Sequence, residues 1–147
     1  MKIIIDTNII FSCLLNSNNE FSKIIFFPNE NIDFYSCSFM LDEISKHWDK
    51  LKNYSKLDDK LLHAIYLKIL SRINFINESF IPSEIWMESE RNISNIDIND
   101  IDFVALTYYL KGSLWTSDKK LLKHLRKINF VDVISTSELK VKLNLVF

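Results

Sequence analysis

Carboxylates sit at several points in this chain where they could do chemistry. Asp6 follows the apolar run KIII, and Asp118 follows SLWT. The stretch NIDINDIDFVAL sets Asp97, Asp100 and Asp102 in front of another apolar run. Asp42 and Glu43 are adjacent in SFMLDEISKHW. Other chemistries are thinly supplied. The single glycine, Gly112, excludes a dinucleotide fingerprint or a P-loop, both of which need several glycines close to phosphate. His47, His63 and His124 form no HExxH and no cluster with Cys13 or Cys37, which argues against a zinc site. Carboxylates are what remain for metal chemistry. The two cysteines form no CxxC and sit among apolar residues, so they read as buried thiols.

Those carboxylates need a scaffold. The 147 residues suffice for one domain, assigned to 1–147, with a sizeable core. The 48% hydrophobic and 13% aromatic content argues against disorder. A formal net charge of −1 supplies no global basic field, so a polyanion site would have to be a local patch. There is no transmembrane-length apolar run and no signal-peptide pattern, and the expected location is the cytoplasm.

Short apolar strands are expected at Lys2–Ile5, Asp33–Cys37, Ser113–Thr116 and Phe130–Ile134, with a brief extended segment at Phe75–Ile76. Helices are expected over Asn8–Leu15, Asn19–Phe27, Ser38 to about Leu51, Asp58–Ile73, Ser83–Ile93, Asp100–Lys111, Asp118–Ile128 and Thr136–Leu145. Alternating strands and helices imply an α/β fold, a parallel sheet covered by helices on both faces. Sites in such sheets form beyond the carboxyl ends of the strands. Asp6 and Asp118 therefore fall on the same edge.

A helical wheel at about 100° per residue separates the aspartates before FVAL. Asp100 projects between two apolar arcs, in line with Thr107 and Lys111. Asp102 projects roughly 160° away and reads as a first-turn charge favoured by the helix dipole. Asp97 could cap the helix or stand on the side of Asp100. Glu43 lies at the edge of its helix's apolar face, beside Met40 and His47, and is weakly preferred over Asp42.

Taken together, IIIDTNII, LDEI, DIDFVALTYYL and LWTSDKKL resemble the PIN domain family in order and spacing, over essentially the whole chain. The resemblance is nearest to the bacterial VapC-type PIN proteins, toxins of toxin–antitoxin pairs. It implies a Rossmann-like parallel sheet and a metal-dependent endoribonuclease. Its acidic quartet maps onto Asp6, Glu43, Asp100 and Asp118. Asp6, Asp100 and Asp118 would be ligands to Mg²⁺ or Mn²⁺, with Glu43 a ligand or a water-orienting base. Asn8 and Thr116 would support the outer carboxylates, and Asp97 would be a cap or outer neighbour. It also implies an antitoxin covering the acidic cleft, and a homodimer. Helix DKKLLKHLRKI offers a basic face that begins at Asp118, with Lys119, Lys120 and Lys123 as candidates to grip RNA phosphates. The competing readings are a non-catalytic PIN-like RNA- or protein-binding module, and a DNA or structure-specific nuclease. The tryptophans Trp48, Trp86 and Trp115 read as packing residues rather than base-stacking platforms.

Overall fold

A computed structural model describes residues 1–93, 95–96 and 100–147. Asp97 therefore lies outside the described residues. Five strands form one sheet: β1 (Lys2–Ile5), β2 (Asp33–Cys37), β3 (Ile73–Ile76), β4 (Ser113–Trp115) and β5 (Asp132–Ile134). Their order is β3-β2-β1-β4-β5, and every neighbouring pair is parallel. The chain thus steps outward from β1 to β3, then returns to β4 on the other side of β1. Right-handed crossovers in opposite directions place the intervening helices on opposite faces. The order reverses between β1 and β4, and the strands' carboxyl ends open a crevice there.

The central strand explains why the sheet needs no alternation. Ile3, Ile4 and Ile5 are all 0% exposed, so β1 is covered on both faces. In β4, Ser113, Leu114 and Trp115 are buried as well. The indole N–H of Trp115 stays satisfied by donating to Thr136 Oγ1 at 3.0 Å. Trp115 is core, while Trp48 and Trp86 are partly buried against it, as expected of packing residues.

Nine helices are described: α1 (Thr7–Leu15), α2 (Glu20–Phe26), α3 (Phe39–Lys46), α4 (Trp48–Ser55), α5 (Asp59–Leu70), α6 (Ser83–Ile93), α7 (Ile101–Leu110), α8 (Lys119–Ile128) and α9 (Thr136–Lys142). Among the described residues, none is long and apolar enough to cross a membrane. Two local expectations change. The single helix expected from Ser38 to Leu51 is broken at His47 (φ −105°, ψ 15°) into α3 and α4. The bend turns Trp48 onto α5, where its indole N–H donates to Asp59 Oδ1 at 2.8 Å and its ring meets Tyr66. The helix expected to reach Ile73 stops at Leu70, because Ile73–Ile76 pairs with Phe34–Cys37 as a full edge strand.

The lone glycine serves for space rather than for backbone freedom. Left-handed backbone conformations fall instead on Lys56, Lys111, Asn129 and Asn144. A Cβ on Gly112 would stand 2.5 Å from Ile4 Cδ1 and 2.7 Å from the Lys2 carbonyl oxygen. Residue 112 therefore lets β4 enter close beside β1, and the register pairs Ile5 with Trp115.

Candidate active site at the carboxyl ends of β1 and β4

One residue beyond that last register pair stand Asp6 and Thr116, so the crevice begins with a carboxylate beside a hydroxyl. Asp6 also caps α1: Ile9 N–H donates to Oδ1 at 3.1 Å. The carboxylate is only 3% exposed. Burial pushes its carboxyl up to about 6, and the negative charge of Asp118 adds to the rise. The Thr116 hydroxyl and the Ile9 and Asn8 amides donate to it and oppose that rise.

Asp118 reaches the same place by a second route. It caps α8, accepting from Lys120 N–H at 3.0 Å and Leu121 N–H at 3.1 Å. Its own N–H donates to Thr116 Oγ1 at 3.1 Å. Thr116 therefore links the two aspartates, donating to one and accepting from the other's backbone. Two strand ends, each followed by a helix, have become two carboxylates aimed into one crevice.

Glu43 is joined to this pair through a residue the sequence reading passed over. Thr7, 4% exposed, donates from Oγ1 to Glu43 Oε1 at 2.9 Å. Its only sequence signal was adjacency to Asp6. Glu78 was also missed; its carboxylate accepts from Phe39 N–H at the start of α3. Asp102 is a first-turn charge of α7, as expected. It is half-buried, its carboxyl is pushed up to about 6 by burial, and the charges of Glu78 and then Glu43 contribute. Asp100, also half-buried, immediately precedes α7. Unlike Asp6 and Asp118, it makes no side-chain cap hydrogen bond to its helix.

The donor set is carboxylate and hydroxyl oxygen, which suits a hard divalent cation. Among the described residues, no lysine, arginine or histidine forms an ion pair with Asp6, Glu43 or Asp118. A buried, uncompensated carboxylate beside a second one is the charge arrangement a cation relieves. The same described side chains do not stand as three acidic, histidine or cysteine groups around one point. Asp118 acts electrostatically on Asp6, and Glu78 and then Glu43 act on Asp102. The chemistry of the donors fits a divalent ion, while the described acidic side chains are not drawn together around one.

The basic helix is narrower than its sequence suggests. Leu121 and Leu125 are buried, and Lys119, Lys120 and Lys123 are exposed beside the Asp118 end. Arg126 is paired with Glu138. His124 turns inward, its Nε2 lying 2.7 Å from the Asn92 carbonyl oxygen, where it can only donate. Both cysteines are free and buried. Burial pushes the Cys13 thiol up to about 11, and that of Cys37 is raised chiefly by burial, with Asp102 and Glu78 adding.

The PIN domain family matches the chain over residues 4–137. Among curated proteins, none matches in sequence. Many solved structures share the fold, and two of them illustrate it. One is VapBC2 from Rickettsia felis bound to a DNA fragment from its promoter, at 17% identity and a TM-score of 0.70, covering 92% of this chain and 98% of that one. The other is VapBC-1 from nontypeable Haemophilus influenzae, at 18% identity and a TM-score of 0.65, covering 93% of this chain and 99% of that one.

Proposed function

The chain belongs to the PIN domain family, and from that membership we propose that it is a divalent-metal-dependent endoribonuclease, the toxin of a toxin–antitoxin pair. The observation that carries this reading is the buried Asp6 carboxylate, raised in pKa beside Asp118, at the point where the strand order reverses. Asp6, Asp100 and Asp118 would hold Mg²⁺ or Mn²⁺, directly or through water, and Glu43 would hold the ion or orient water. Bound there, such an ion lowers the pKa of a coordinated water and offsets charge on the phosphodiester. Thr116 keeps the Asp6 and Asp118 ends in register, and Thr7 aims Glu43. Hydrolysis adds the water oxygen to phosphorus and breaks the bond to the 3′ oxygen. That oxygen leaves with a proton, giving a 5′-phosphate and a 3′-hydroxyl. The antitoxin reading is supported by the VapBC pairs that share the fold, and the expected setting is the cytoplasm.

The direct test incubates the purified chain with single-stranded RNA and with DNA of the same sequence, with Mg²⁺, with Mn²⁺ and with EDTA. The expected result is internal cleavage of RNA only, requiring metal, with 5′-phosphate products. Cleavage that is indifferent to EDTA, or confined to DNA, overturns the reading.

Two variants examine the parts around the acids. Thr7→Val removes the hydroxyl that aims Glu43 and keeps the shape of the side chain. The expected outcome is a fall in kcat of about 10-fold, the lower end for lost outer contacts at a metal site, with KM little changed. Thr7→Ser should restore the rate. Reversing charge at Lys119 and Lys123 should weaken RNA binding and lower the salt slope of log K by about 1.4, two single-strand phosphate contacts. Fluorescence anisotropy across a salt series reads it; an unchanged slope removes α8 from the RNA path.

A further inference from the structure

We propose that Glu78 is a positioning residue for the acidic site: its carboxylate caps the start of α3 and through that helix sets where Glu43 presents its own. This deepens the ribonuclease reading and rests on it. α3 has only eight residues, and Ser38, which precedes it, makes no side-chain cap hydrogen bond. The first N–H groups of a helix have no partners within it. Here Phe39 N–H donates to the Glu78 carboxylate, 39 positions away. A negative group is favoured at that end of a helix. The sheet delivers Glu78 to this point. β2 pairs with β3 in a fixed register, Ser36 with Phe75 and Cys37 with Ile76. Just past the end of β2, Ser38 N–H donates to the Ile76 carbonyl oxygen at 3.2 Å. The same offset brings residue 78 level with residue 39, where a side chain takes over from the backbone ladder. Glu78 opens a single 3₁₀ turn, Glu78–Phe80, tied by Ser79 N–H to Asn77 Oδ1 at 2.9 Å. Phe80 N–H adds a bond to the Asn77 carbonyl oxygen at 3.1 Å.

Separate restraints then meet on Glu43. Met40 and Ile44 are buried and fix which face of α3 turns to the core. The Glu78 cap fixes where the helix begins. One turn on from that end, Glu43 Oε1 accepts from Thr7 Oγ1 at 2.9 Å. So short a helix, ended by the bend at His47, has little stability of its own, and its ends depend on what holds them. The charge of Glu78 also acts on Asp102 and on Cys37, which places the anchor beside the acidic crevice. Glu78 and Thr7 thus act on one carboxylate from two directions, one through the helix backbone and one through the side chain.

The test combines two double-mutant cycles, one on catalysis and one on stability. On single-stranded RNA, Glu78→Ala should lower kcat about 10-fold with KM little changed, the loss also expected of Thr7→Val. The double variant should lose little more than either, because both changes release the same carboxylate. Glu78→Gln keeps an oxygen that accepts from Phe39 N–H and should restore most of the rate. Three results overturn the proposal: parental kcat in Glu78→Ala, losses that multiply in the double variant, or a Glu78→Gln protein as slow as Glu78→Ala. The second cycle needs no cleavage. By urea denaturation, Thr7→Val should raise the unfolding constant of the parent about 10-fold, the loss of one hydrogen bond to a carboxylate. In Glu78→Ala the same change should raise it less than about 3-fold. An equal effect in both backgrounds shows that Glu43 keeps its place without Glu78, and refutes the inference even if the protein cleaves RNA. Coupling in this cycle, from a parent that cleaves nothing, supports the anchor and leaves the failure with the nuclease reading.

Discussion

Asp6→Asn is expected to lower metal-dependent RNA cleavage by about 10³-fold, the several kcal/mol that a lost metal ligand removes from the transition state. The same change should raise the melting temperature of the metal-free protein at pH 8. The two effects have one cause. The Asp6 carboxyl titrates near 6 in the folded protein, against 3.8 ordinarily, chiefly because burial disfavours its charge. A raised carboxyl pKa means that the folded state binds a proton more tightly than the unfolded chain. Stability from this residue is therefore greatest below about pH 4 and declines as pH rises through 6. Above that window the ionised carboxylate costs about 3 kcal/mol.

An asparagine carries no charge to bury. Its oxygen still accepts from Ile9 N–H, and its amide can donate to Thr116 Oγ1. Recovering about 1–2 kcal/mol would lift the melting temperature by roughly 2–8 °C at pH 8. The gain should shrink towards pH 4, where the parent carboxyl is protonated. Added Mg²⁺ should stabilise the parent and not the variant. Asp102 shifts in the same direction and leaves a smaller slope of the same sign in Asp6→Asn. Thermal melts at four pH values, each with EDTA and with Mg²⁺, make the comparison. A variant less stable than the parent throughout would show that the cap outweighs the buried charge, and unchanged metal-dependent cleavage by it would remove Asp6 from the chemistry.

Gly112→Ala should be the most damaging small substitution in the scaffold. The added methyl would meet Ile4 Cδ1 at 2.5 Å, Lys2 O at 2.7 Å and Lys2 Cβ at 3.1 Å. The Ile4 methyl can rotate away. The Lys2 carbonyl cannot, because it belongs to β1 at the centre of the sheet. Relief therefore requires β4 to move from β1, at a cost of about 3 kcal/mol, typical of overpacking. The expected melting temperature falls by roughly 6–12 °C. Gly112 has no positive φ, so alanine would bring no backbone strain of its own. The loss would come from the close approach alone. Activity should fall further than stability, because Asp6 and Thr116 sit at the far ends of the same two strands. A melting temperature within about 2 °C of the parent would show that the strands have room to separate.

The two substitutions differ in how far sequence alone foresaw them. The placement of Asp6 at the sheet edge was legible because it follows a continuous apolar strand. Asp118 was legible in the same way, whereas Thr116 was named only by the family resemblance. Gly112 was visible as the chain's single glycine, but its close neighbour lies 110 residues away, in Lys2. Asp102 shows the limit most clearly. A wheel describes the faces of its own helix and carries no information about what is packed against them. On that basis Asp102 was set apart, yet chain packing brings it near Glu43 and Glu78.

What the sequence by itself determined were the features carried by neighbouring residues: buried strands from apolar runs, helix starts from capping aspartates, and the alternation that implies a parallel sheet. These depend on periodicity and on local hydrogen bonds, which are complete within a few residues. Only the tertiary structure decided which carboxylates share a space. Thr7 reaches Glu43 across 36 positions, and Phe39 reaches Glu78 across 39. The bend at His47 likewise depends on where α5 lies to receive Trp48. Such contacts are set by the crossovers that fold one strand's end beside another's, and no local pattern encodes that distance.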